Sequence, residues 1–193
     1  MKDGGVKVAE EQSNYLDNNT AQSYFEAGGL AIKRQKLSDA IKYLKKASIC
    51  EELKEQQKSD TYNMLGLCYY RLGEWEGAEK FWKQSVEIMP DEDNRAYKYL
   101  EELESKGALA YKQVYENALM HIKQGKYGKV SREIIRYSKG NIMTVRLWNI
   151  LGLCEWKVGR NKNAYSCFKN ALQKDVSHPI TLRYLRELSA SQG

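Results

Sequence analysis

Catalysis and metal binding need titratable, nucleophilic or ligating side chains within reach of one another, and this sequence keeps its few candidates apart. His121 and His178 are the only histidines, and neither has a matching set of acids or thiols beside it, so no metal site is read here. Cys50, Cys68, Cys154 and Cys167 show no C-x-x-C spacing. Gly4-Gly5 and Gly28-Gly29 lack the Lys-Ser/Thr or G-x-G-x-x-G context in which backbone amides cradle a phosphate. The paired acids Glu51-Glu52 and Glu101-Glu102 fall in charged stretches, where burial does not tune a general acid. With so few histidines no nucleophile–base pair is suggested. The sequence therefore reads as a non-enzyme, with no cofactor and no metal. The recognition chemistry of amides, aromatics and cations remains, and its meaning depends on the helices that carry it.

The most informative stretch runs from Tyr62 to Pro90. Tyr62, Leu65, Gly66 and Tyr69 share one helical face. Gly73 breaks that helix, Trp75 opens a second, Ala78 and Trp82 stand four apart on it, and Pro90 stops it. Small Gly66 and Ala78 let two antiparallel helices approach, while Tyr62, Leu65, Tyr69 and Trp82 fill the space on either side. This pattern resembles the tetratricopeptide repeat (W-x2-L-G-x2-Y, A-x3-F, P) of about 34 residues. One such hairpin cannot bury its own apolar face, so neighbours are required.

Three further copies can be read. Trp148, Leu151, Gly152, Gly159, Ala164 and Phe168 repeat the pattern, with Glu155 in place of the last Tyr. A weaker copy surrounds Tyr24, Ala27, Gly28, Ala40 and Leu44. The weakest has Ala118 in the small place, Gly125-Lys126-Tyr127 at the turn and Ile134 in the aromatic place. There Val130 replaces the small alanine, which predicts a wider separation of the two helices. Cys68 and Cys154 each follow the small glycine by two residues, as buried packing residues do.

Shifting the chain by 86 residues superposes Asn63 on Asn149, Gly66 on Gly152 and Cys68 on Cys154, and LRYLREL near the end echoes YKYLEEL near the middle. We expect an all-α, right-handed helical-hairpin solenoid of about ten helices with an internal duplication. Each half would hold two hairpins and a single helix: residues 18–107, then 108–193, after a loose tail over residues 1–17. Asp17 to Thr20 offer N-caps for the first helix, which should run to about Arg34. The second helix starts near Ser38 and can reach as far as Lys54, and Lys106-Gly107 should separate the middle helix from one starting near Leu109.

Composition sets broader bounds. The 193 residues carry a formal charge of +6, a mild excess that is not the density of a dedicated nucleic-acid binder. No run approaches 18 apolar residues, so no membrane span is read. The N-terminal MKDGGVKVAEEQ has no apolar core of a secretory signal. Cysteine usage fits a reducing cytosol. The expected location is cytoplasmic, or the cytosolic part of a longer anchored protein.

Resemblance to the repeat family implies a concave wall made by the first helix of each hairpin, with function in positions the packing motif leaves free. Those positions are Phe25, Ile32 and Lys33; Asn63, Leu67, Tyr70 and Arg71; Tyr115 and Lys123; and Asn149, Leu153, Trp156 and Lys157. Each copy ends in a cation preceded by a large apolar residue. An amide can bond a peptide backbone in both directions, and cations at one rim favour an acidic ligand. The expected function is a non-catalytic module that holds a protein partner's peptide or helix, with acidic character fitting best. Phe25 and Gly29 stand where the family's carboxylate-binding pattern wants Lys and Asn, which argues against chaperone tails. The alternative is a self-assembling scaffold, because Lys123 to Lys139 is basic while Pro90 to Glu104 is acidic. RNA binding comes third, since the net charge is modest.

Overall fold

Residues 20–191 are described by a computed structural model; the tail expected over residues 1–17 lies outside them. Ten α-helices and no strand occur among the described residues: α1 (Ala21–Lys33), α2 (Leu37–Ser48), α3 (Glu55–Leu72), α4 (Trp75–Ile88), α5 (Arg95–Leu103), α6 (Lys106–Lys123), α7 (Tyr127–Ser138), α8 (Val145–Lys157), α9 (Asn161–Lys174) and α10 (Pro179–Ala190). None of them is long and apolar enough to cross a membrane.

The helices start where polar side chains can satisfy orphan N–H groups. Thr20 accepts from Ser23 N, Asn94 from Ala96 N, Ser105 from Ala108 N, Thr144 from Leu147 N and His178 from Thr181 N. Ser105 thus starts α6 at Lys106 rather than near Leu109, and the expected break at Lys106-Gly107 moves into the first turn of α6. α2 stops at Ser48, short of Lys54. The turns of the α3–α4, α6–α7 and α8–α9 hairpins fall at Gly73, Gly125 and Gly159, all with positive φ. The α1–α2 turn puts Gln35, at φ 55°, in the same place.

Packing within the hairpins follows the small-to-large pattern. A Cβ on Gly66 would run into the Trp82 indole, one on Gly152 would reach 2.5 Å from the Phe168 ring, and one on Gly28 would reach 2.5 Å from Leu44. α1–α2, α3–α4 and α8–α9 pack closely, whereas α6 and α7, with Val130 in the small place, touch much less. α5 closes over Ala78 and Trp82 with Tyr99, Leu100 and Leu103. α10 closes over Ala164 and Phe168 with Tyr184, Leu185 and Leu188.

The array also folds back on itself. Val145 of α8 and Ala171 of α9 are buried in the same core as Leu37, Leu44, Leu65 and Leu72 from α2 and α3. Two polar seams hold this closure. At one, Tyr111 Oη donates to Gly73 O at 2.8 Å, the Tyr111 and Trp75 rings stack at 3.9 Å, and Arg146 reaches Glu74 at 3.7 Å. At the other, Val176 N donates to Gln35 O at 2.9 Å and Asp39 N to Ser177 Oγ at 3.3 Å. Buried Asp175 accepts from Ser38 through both its backbone N and its hydroxyl.

Candidate functional site

The fold-back leaves a cleft of about 640 Å³ between the two sets of hairpins. One wall comes from α3 and the start of α4: Leu67, Tyr70, Arg71 and Trp75. Opposite lie Tyr137 at the end of α7 and the α7–α8 connection, with Ile142, Met143 and Thr144. Glu102, Ser105 and Gly107 from the α5–α6 junction line another side, and Gln173 and Lys174 complete it with Gln35 and Leu37. Ile142 is 76% exposed, an aliphatic side chain standing open at the edge. Apolar walls with a few polar groups are the usual make-up of a ligand cleft.

Tyr70 is the best-fixed member. Its ring stacks on Trp75 at 5.2 Å, its hydroxyl donates to Glu102 Oε1 at 3.1 Å, and Trp75 Nε1 donates to Tyr70 O at 3.2 Å. Burial, reinforced by the neighbouring Glu102 carboxylate, pushes the Tyr70 phenol up to about 12, so it stays a neutral donor. Arg71 is exposed on the cleft wall and joins no ion pair among the described residues.

The structure brings only Leu67, Tyr70 and Arg71 of the expected groove residues into this cleft. Asn63 donates to Asn94 Oδ1 at 3.0 Å and so ties α3 to the N-cap of α5, beside a second, acidic depression. Its counterpart Asn149 is buried and accepts from Thr181 Oγ1 at 2.9 Å, tying α8 to α10. The two amides therefore hold the single helices α5 and α10 instead of facing a shared hollow. Leu153 and Trp156 pack under α10 with Tyr184 and Leu185. Phe25 packs on Ala21, Ala47 and Leu53, and Ile32 joins the α2–α3 core. Tyr115 lies beneath the Arg146 guanidinium at 5.0 Å, in a small depression behind the α3–α4 turn. Lys33, Lys123 and Lys157 are exposed at the ends of α1, α6 and α8, outside the cleft lining. The residues read as one inner wall thus fall in several separate places, because α5 and α10 engage part of α3 and α8.

The opposite wall was missed in the sequence. Ile142-Met143 was its available sign: two apolar residues in a connection, just before the Thr144 cap, where solvent exposure would not favour them.

No group of His, Cys, Asp and Glu able to hold a metal occurs among the described residues. Cys68, Cys154 and Cys167 are buried, and burial pushes each thiol up to about 12. Nucleophilic thiolates are correspondingly scarce at neutral pH.

Paired helices closed by buried small residues, with an open cleft instead of a reactive cluster, define a helical-repeat protein. Residues 59–92 match the tetratricopeptide repeat profile. Similar solved structures include AMB-1 MamA, 18% identical over 90% of this chain and 82% of that one, with a TM-score of 0.37. The P58(IPK) TPR domain is 18% identical over 90% of this chain and 47% of that one, at 0.48. The yeast Sti1 TPR2AB domain, solved as a complex with pHSP90, is 12% identical over 93% and 74%, at 0.41. Likeness at these values assigns neither ligand nor assembly to this chain. No curated protein matches it.

Proposed function

We propose that this protein is a non-catalytic interaction module that holds a peptide or helix of a partner protein in the cleft between its two sets of hairpins. The repeat at residues 59–92 supports a protein–protein interaction role. The single observation that carries the finer reading is the cleft itself, where Leu67, Tyr70 and Arg71 face Ile142 and Met143 across about 640 Å³. An amphipathic segment buries its apolar face in such a groove. Arg71 and Lys174 on the lining favour acidic residues beside that face. The reading keeps the division into residues 18–107 and 108–193, with the boundary shifted to the Ser105 cap, and places the protein in the cytoplasm, where its free thiols stay reduced.

Affinity capture from native lysate, quantified for each co-purified protein, tests it. Arg71→Glu/Ile142→Asp alters two exposed positions of the cleft and should lose the partner while helical content is kept. Lys157→Glu, outside the cleft, should retain it. If the cleft variant keeps every wild-type partner, the reading fails.

A further inference from the structure

Two helices carry charge of the wrong sign for their own stability. Aligned peptide dipoles make a helix N-terminus partly positive and its C-terminus partly negative, so acids belong at the start and bases at the end. α2 and α3 obey, with Asp39 and Glu55 in their first turns and Lys45, Lys46 and Arg71 in their last. α5 does the reverse: it opens on Arg95, closes with Glu101 and Glu102, and has Glu104 as its C-cap. α7 has Lys126 as its N-cap residue, Lys129 in its first turn and no acid there. Its last-turn Arg136 obeys the rule, but the run that contains it starts at the wrong end. Local helix stability therefore does not account for the acids of α5, whereas Arg136 and the C-cap Lys139 of α7 suit the dipole.

Their placement is regular. Tyr97, Glu101 and Glu104 stand at i, i+4 and i+7 along one stripe of α5, all exposed, Tyr97 by 39%. Arg132, Arg136 and Lys139 have the same spacing on α7, all exposed, with Ile135 beside them at 44%. Among the described residues none of these five charged side chains takes part in an ion pair. α5 packs mainly on α4, and α7 on α6 and α8, so neither stripe finds its complement within the molecule.

We infer that the two stripes meet between molecules, α5 of one copy lying along α7 of the next, with the exposed Tyr97 and Ile135 adding apolar contact beside the opposed charges. The two surfaces differ, so the contact is head-to-tail and repeats from copy to copy. A second copy fits better than nucleic acid because a stripe of opposite charge and the same spacing, also flanked by an exposed apolar side chain, is on the chain itself. The aromatics of this segment, Tyr127 and Tyr137, pack against the core instead of standing on the stripe where bases could stack. Two short helix faces cover less than the roughly 1,600 Å² of a standard stable interface. Association is therefore weak, and it weakens further as salt shortens the range of the charges.

Sedimentation velocity on the full chain over a concentration series tests this at about 50 mM and about 500 mM salt. At low salt the average size should rise with concentration, and at high salt it should fall back to the monomer. Glu101→Lys/Glu104→Lys and Arg132→Glu/Arg136→Glu should each be monomeric alone, with unchanged circular dichroism. Mixed one to one, they restore opposite signs at every junction and should associate again. Wild-type protein that stays monomeric at low salt overturns the inference, as does association that survives both reversals or a mixture that stays monomeric. A monomeric wild type that retains homopolymeric RNA in filter binding assigns the basic stripe to nucleic acid and overturns it as well.

Discussion

Asp175 Oδ2 lies 3.1 Å from the backbone N of Ser38 and 2.6 Å from its hydroxyl, so a residue 137 positions away in sequence caps the N-terminus of α2. Lys36, the N-cap residue of α2, makes no capping bond of its own. The other carboxylate oxygen accepts from the N and Oγ of Ser177. One buried carboxylate thus shapes its own loop and fixes that loop to the first hairpin. Asp175→Ala should cost about 3 kcal/mol, because charge-assisted bonds are lost and buried donors are left unpaired. Ser38→Ala keeps the backbone bond and should cost about 1 kcal/mol. Urea denaturation of both single variants and the double variant checks the link: the double should cost less than the sum of the singles. Additive costs would mean that the cap does not couple the two segments.

Gly28 and Gly29, neighbours in α1, should respond to alanine with opposite signs. A Cβ on Gly29 meets nothing within 4 Å, whereas one on Gly28 strikes Leu44. Gly29→Ala gains helix propensity and should stabilise by about 0.5–1 kcal/mol. Gly28→Ala forces Leu44 aside and should destabilise by about 1–3 kcal/mol. Gly66→Ala should cost more than Gly28→Ala, because the stiff Trp82 ring cannot give way and its bond from Nε1 to Asn63 O would break. Thermal melts of the three variants rank them. A stabilised Gly28→Ala would contradict the tight crossing of α1 and α2.

These contrasts show what can be read from sequence. Gly66, Ala78 and Trp82 report a crossing of two adjacent helices, a local relation that leaves a spacing. The fold-back leaves none, since Asp175 and Ser38 are joined only when the whole array has closed. The same limit affects the groove residues. The recurrence of an amide in both copies suggests that Asn63 and Asn149 face a ligand. The shared reason is that α5 and α10 each follow a hairpin and need their N-caps tied, at Asn94 and at His178. The recurring single helix was visible in the sequence, but the direction of the amides toward it was not.

His178 should make the fold sensitive to mild acid. Its Nδ1 accepts from Thr181 N at 3.2 Å, which requires that nitrogen to be unprotonated. Burial holds its pKa below the ordinary 6.5, against the opposing pull of Asp175 and Glu74. The unfolded chain then binds the proton more readily than the folded one, so stability is complete above 6.5 and is lost as pH falls from there through the folded value. Asparagine caps a helix without titrating. Melting temperatures from about pH 8 to about pH 5 should drop more steeply for wild type than for His178→Asn. Parallel curves would remove His178 as the source.

Glu155 and Asn163 form a polar pair in the places that Tyr69 and Gly77 hold in the α3–α4 hairpin. There Tyr69 stacks on Phe81 at 5.3 Å, and Gly77 leaves room for it: a Cβ on Gly77 would come within 2.7 Å of the Tyr69 ring. At the corresponding places in the α8–α9 hairpin stand Glu155, Cys167 and Asn163. Glu155, 1% exposed, accepts from Asn163 Nδ2 at 2.8 Å and from Arg160 Nη1 at 3.1 Å. Glu155→Tyr alone should be strongly destabilising, because the ring meets the Asn163 side chain in a space made for a carboxylate. Asn163→Gly alone strips the carboxylate of a short hydrogen bond and adds backbone freedom within α9. Together they recreate the room beneath a tyrosine, so the double variant should recover about 1–2 kcal/mol relative to the sum of the singles. It should still fall short of wild type, since Cys167 offers no ring for stacking. Chemical denaturation of the four proteins measures that coupling, and a coupling near zero would show that the two positions fill their space independently.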